Sequence, residues 1–75
     1  MTDEKKRADH IKASEIEASI AGHLRLAMAY ADIALQHDDI HDHAGFVMSA
    51  DKFIGHARDI AGKLKELRKV KGVLD

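Results

Sequence analysis

The stretch "QHDDIHDH", residues 36–43, sets His37, His41 and His43 among Asp38, Asp39 and Asp42. Imidazole and carboxylate are donors that Zn²⁺ or Ni²⁺ accepts. On an unbroken helix His37 and His41, four residues apart, share a face and could hold one ion, while His43 points away. If the chain turns here, one of the aspartates caps a following helix, and the histidines are solvated or close the end of the preceding one. No zinc-finger spacing fixes a further ligand, so a polar turn is the expected reading. Neither a metal nor any other cofactor is called for.

Two other histidines stand in chemically suggestive places. His23 lies within the apolar sequence from Ile20 to Leu35, where it could be a neutral core imidazole, a pH switch, or a ligand shared between subunits. His56 is followed at i+3 by Asp59, a spacing that could orient an imidazole for general-base work. No nucleophile or oxyanion element accompanies the pair, so surface pairing is expected and no catalytic residue is assigned. Tyr30, the single tyrosine, fits a core or interface aromatic with its hydroxyl at an edge.

Charge offers a third chemistry. Residues 13–57 carry a net charge of −5 and residues 58–75 a net charge of +3. Lys63, Lys65, Arg68, Lys69 and Lys71, with Lys5, Lys6 and Arg7, could meet phosphates or an acidic partner if folding brings the two termini together. Glu66, Asp3 and Glu4 dilute that patch and no aromatic is interleaved, which favours a solvated helix end over nucleic-acid binding.

Helices must position all of these groups. The chain has no proline, no cysteine and 4% aromatic residues, and it lacks the β-branched alternation of strands. An all-α fold is expected. Residues 1–13 read as a charged N-terminal segment, either a short helix or a frayed extension of the next, and residues 14–75 as a helical hairpin domain. "SEIE", with Ser14 and Glu17, fits a capping box for a main helix. That helix carries one seam of Ile16, Ile20, His23, Ala27, Tyr30 and Ala34, and a second of Leu26, Tyr30, Ile33, His37 and Ile40. The second helix offers Phe46, Ala50, Phe53, Ala57, Ile60, Leu64 and Leu67, with Asp42 or Ser49 as a start and Gly72 as an end. A connection around residues 38–45 makes the pair an antiparallel hairpin.

The stretch "SIAGHLRLAMAYADIAL", from Ser19 to Leu35, resembles a helix in the hairpin domain of phage proteins that sequester cyclic nucleotides. The resemblance lies in its leucine, Ala-Met, aromatic and alanine pattern, and it implies a ligand-sequestering oligomer. The basic and threonine residues which that family places around phosphates have no clear counterparts here.

Length and patterning set the functional expectation. A 75-residue chain buries only about 60% of its unfolded surface, so a lone monomer is marginal and a staple is needed. A single hairpin partner cannot cover the wide apolar arc of the first helix. Self-association into a homo-oligomeric bundle, a dimer most simply, is the expected remedy, with the seam Leu26, Tyr30, Ile33, His37 and Ile40 as its interface. With no cysteine, no apolar span and no signal-peptide core, the expected setting is the cytoplasm, away from the membrane. The function expected is a small non-enzymatic interaction module that binds another macromolecule, as inhibitors, adaptors and regulators do. The alternatives are a nucleotide or nucleic-acid binder using the basic end, and a metal-binding bundle using the His/Asp turn.

Overall fold

The computed structural model describes residues 2–74, the side chains of Thr2, Lys71, Val73 and Leu74 excepted. Two helices account for nearly all of them: α1, Thr2–Asp39, and α2, His43–Leu74. They pack antiparallel into a rod with extents of 59 × 14 × 14 Å.

α1 runs through Ser14 without a break. The Ser14–Glu17 pair therefore lies inside the helix, and the helix begins at the charged segment, with Asp3 and Glu4 in its first turn complementing the macrodipole. The physical reason is that nothing in residues 3–21 is a helix breaker, and Lys, Glu and Ala favour continuation. Likewise Ser49 lies within α2, and α2 runs through Gly72. α1 has 38 residues and α2 has 32, so the first turns of α1, where residues 3–8 are all exposed, project past the end of α2.

The seam expected on α1 is the one that faces α2. Ile16, Ile20, Ala27 and Ala34 are buried, His23 and Tyr30 are half-buried, and Ala13 extends the seam by one turn. The face of α2 is rotated from the expected one. Phe46, Ala50, Ile60, Leu64 and Leu67 do turn inward, but Phe53 and Ala57 are exposed, while Ser49 is buried at 7% exposure and His56 is half-buried. The cause is a ring stack: His56 lies against Tyr30 with centroids 5.6 Å apart and planes 15° from parallel, which turns the polar edge of α2 toward α1.

The turn is made by Ile40–Asp42 and follows the Schellman pattern. The His41 amide donates to the Asp38 carbonyl at 3.0 Å, and the Asp42 amide to the His37 carbonyl at 2.8 Å. His41 takes the left-handed backbone position, φ 58°, that glycine usually fills. Asp42 then caps α2, its Oδ1 accepting from the Gly45 amide at 3.1 Å while its carbonyl accepts from the Phe46 amide at 3.0 Å.

Candidate functional site

The hairpin register brings His23 of α1 against His56 of α2. Their Nδ1 atoms are 2.9 Å apart, and the ring centroids 5.1 Å apart with planes tilted by 49°. One ring must donate an N–H and the other accept, so the bond requires that at least one imidazole be neutral. Asp59, one turn beyond His56 and exposed, completes the group: one potential ligand atom from each of His23, His56 and Asp59 lies within 4.8 Å of the others. Tyr30 backs His56 on one side, and the Lys52 ammonium sits 5.4 Å from the Tyr30 ring centroid, a cation–π contact. An open groove lined by His23, Arg58, Asp59, Gly62, Lys63 and Glu66 leads to the cluster.

The histidine-rich turn has a different construction. His37 is half-buried, and its Nδ1 lies 3.0 Å from Asp42 Oδ2. The two atoms are close but not aligned as a hydrogen bond, for the shielded Nδ1 has no hydrogen-bond partner by direction. The Gly45 amide, above all, holds the Asp42 carboxyl below the ordinary carboxylate value; desolvation opposes it, and the His37 imidazole adds to the lowering. Gly45 makes room for a close approach, since a Cβ there would collide with His37 Nδ1 and come within 2.7 Å of Asp42 Oδ2 unless those side chains shifted. His41 and His43 are exposed and, with Asp38, Asp42 and Phe46, line a separate shallow depression. The cap thus occupies the carboxylate of Asp42, and the imidazole of His37 lies against it.

The remaining expected site residues are distributed as follows. Leu26, Ile33 and Ile40 are exposed, Ile40 at 71%, whereas Tyr30 and His37 are partly engaged inside the chain. A groove lined by Tyr30, Ile33, His37, Met48, Ser49 and Lys52 marks this flank. Lys63 is half-buried beside the histidine cluster, Lys65, Arg68 and Lys69 are exposed, and the side chain of Lys71 lies outside the described residues.

His23, His56 and Asp59 were each conspicuous in the sequence, but their convergence was not. The usable signal was the register. An antiparallel hairpin turning near residue 40 pairs positions whose numbers sum to about 80, and His23 and His56 satisfy that. No helix among the described residues is long and apolar enough to cross a membrane. No protein-family model, curated protein or solved structure matches the chain.

Proposed function

We propose that the chain is a non-enzymatic, self-associating helical module that works by binding another macromolecule, in the manner of small inhibitors, adaptors and regulators. The observation that carries this reading is the total surface a single hairpin leaves uncovered, together with the large apolar side chains exposed on it. The chain exposes 5778 Å², whereas a compact monomer of 8.3 kDa exposes about 4,600 Å². The surplus of about 1,200 Å² exceeds the roughly 800 Å² that each partner contributes to a standard interface.

The uncovered apolar side chains fall on two flanks. Projected at 100° per residue from the buried seam, Leu24, Met28 and Leu35 of α1 lie on the same side of the hairpin as Val47, Phe53 and Ile54 of α2. Leu26, Ile33, Ile40 and Met48 lie on the other. A two-fold dimer, completing a four-helix bundle, covers the larger flank in place of the Leu26, Tyr30, Ile33, His37 and Ile40 seam expected from the sequence, and leaves the flank of that seam for a partner.

Sedimentation equilibrium tests the assembly. The wild-type chain is expected to be dimeric at micromolar concentration, and Met28→Glu with Ile54→Glu to dissociate it, while Arg25→Glu on the polar stripe does not. A folded, monomeric wild-type chain would overturn the reading. A second reading rests on the exposure of Lys65, Arg68 and Lys69 at the same end as Lys5, Lys6 and Arg7. In that case the chain binds single-stranded oligonucleotide with an affinity that falls steeply with salt, and Lys65→Ala with Lys69→Ala reduces that slope.

A further inference from the structure

We propose that His23, His56 and Asp59 form a binding site for a divalent first-row transition metal ion, Zn²⁺ being the ion best matched to the set. Two imidazoles and one carboxylate are nitrogen and oxygen donors of intermediate hardness. That set suits Zn²⁺ and its neighbours, lacks the thiolates that would select a softer ion, and has too few oxygens for Mg²⁺ or Ca²⁺.

The geometry is close to what such an ion needs. With Zn–N distances of about 2.0–2.1 Å, neighbouring ligand atoms around a tetrahedral ion stand about 3.3 Å apart. The two imidazole Nδ1 atoms are 2.9 Å apart, so they need to part by only a few tenths of an ångström. One potential ligand atom from each of His23, His56 and Asp59 already falls within 4.8 Å of the others. Asp59 supplies the remaining movement by a rotamer change, which its exposed position allows.

The pair also needs little rearrangement of hydrogen to receive an ion. When both rings are neutral, the hydrogen shared between the two Nδ1 atoms can pass to Nε2 of its own ring, which presents two lone pairs to the ion with no change in charge. Tyr30, stacked on His56, limits the swing of that ring. Three protein ligands leave at least one coordination position, and the groove beside the cluster gives the ion an entry path and room for water. Arg58 and Lys63 line that groove, and their charge opposes an incoming cation and keeps the affinity modest.

All three ligands belong to one chain, so the site stands whether or not the hairpin self-associates. It is also separate from the histidine-rich turn, where Asp42 caps α2 and His37 lies against Asp42.

The experiment is titration of the untagged full chain with ZnCl₂, followed by calorimetry and by thermal melting in circular dichroism. One ion per chain is expected to bind, and the melting temperature to rise with Zn²⁺ but not with Mg²⁺. Asp59→Asn, a change at an exposed position, should keep wild-type helicity and weaken binding at least about tenfold, and His56→Gln should do the same. His41→Gly with His43→Ala, which removes both imidazoles of the turn and keeps the left-handed backbone position at 41, should bind as the wild type does. The assignment is overturned if about ten equivalents of Zn²⁺ leave the wild-type melting temperature unchanged. Undiminished affinity in Asp59→Asn, or loss of binding in the His41/His43 variant, overturns it as well.

Discussion

At the scale of single residues, the densest chemistry lies in the turn, where one aspartate serves two helices. Asp42 accepts from the Gly45 amide with one carboxylate oxygen and approaches His37 with the other. Because its folded-state pKa is lowered, its charge contributes stability that is fully present above the unfolded value of about 3.9 and is lost as pH falls through the lower folded value. Asp42→Asn preserves an acceptor for the cap but not the charge. Urea unfolding should therefore find the variant less stable than wild type near neutral pH, with the difference shrinking below the unfolded pKa; a difference that persists unchanged into acid would show that shape, not charge, matters. Gly45 yields an opposite test of propensity. Alanine is favoured over glycine inside a helix by about 1 kcal/mol. Here the added methyl meets His37 and Asp42, so Gly45→Ala is expected to destabilise by about 1–3 kcal/mol, read as a lower urea midpoint.

At the scale of elements, the contact between α1 and α2 is built largely from small residues. Ala13, Ala27 and Ala34 make up much of the buried apolar set, together with Ile16 and Ile20. Ala27 is 5% exposed, so Ala27→Leu should push the helices apart and cost about 1–3 kcal/mol, whereas Ala29→Leu on the exposed stripe should leave the thermal midpoint almost unchanged. This interface shows what was legible in the sequence. On α1 the residues from Ile16 to Ala34 recur at alternating steps of four and three, a pattern with only one helical solution, and His23 belongs to it by position. On α2 the apolarity of Phe53 outranks that of Ser49 and His56, yet the ring stack on Tyr30 decides the rotation, and a stack between residues on different helices leaves no mark in local periodicity. Of the two readings of residues 1–13, a separate short helix or an extension of the next, the continuous α1 corresponds to the extension. A capping box is a local signal, and it does not end a helix whose preceding residues also favour helix. The His23–His56–Asp59 group required both the register and the rotation, and only the register could be estimated in advance.

At the scale of the whole molecule, the chain is a rod rather than a globule. Its radius of gyration is 17.1 Å, against about 11 Å for a compact domain of this length. No large side chain among the described residues is fully buried, and each helix has one intramolecular neighbour, so the contacts of the rod are all of one kind. His41 decides how those contacts are distributed between molecules. Its left-handed backbone is what reverses the chain, at a cost of about 1–2 kcal/mol for a residue with a Cβ. Were His41 to relax to a right-handed helical conformation, α1 and α2 would fuse into one continuous helix of about 110 Å. Two such open chains, laid antiparallel, would recover every seam contact of two closed hairpins, with the strain released and each half of the seam supplied by the other molecule. Substitution at position 41 therefore tests whether the turn can act as a latch between a closed and an exchanged form of one packing. His41→Gly should favour the closed form and raise its stability by about 1 kcal/mol, while His41→Ala should favour the exchanged one. Solution scattering separates them: a maximum dimension near that of the 59 Å rod in both variants would mean that the latch does not open.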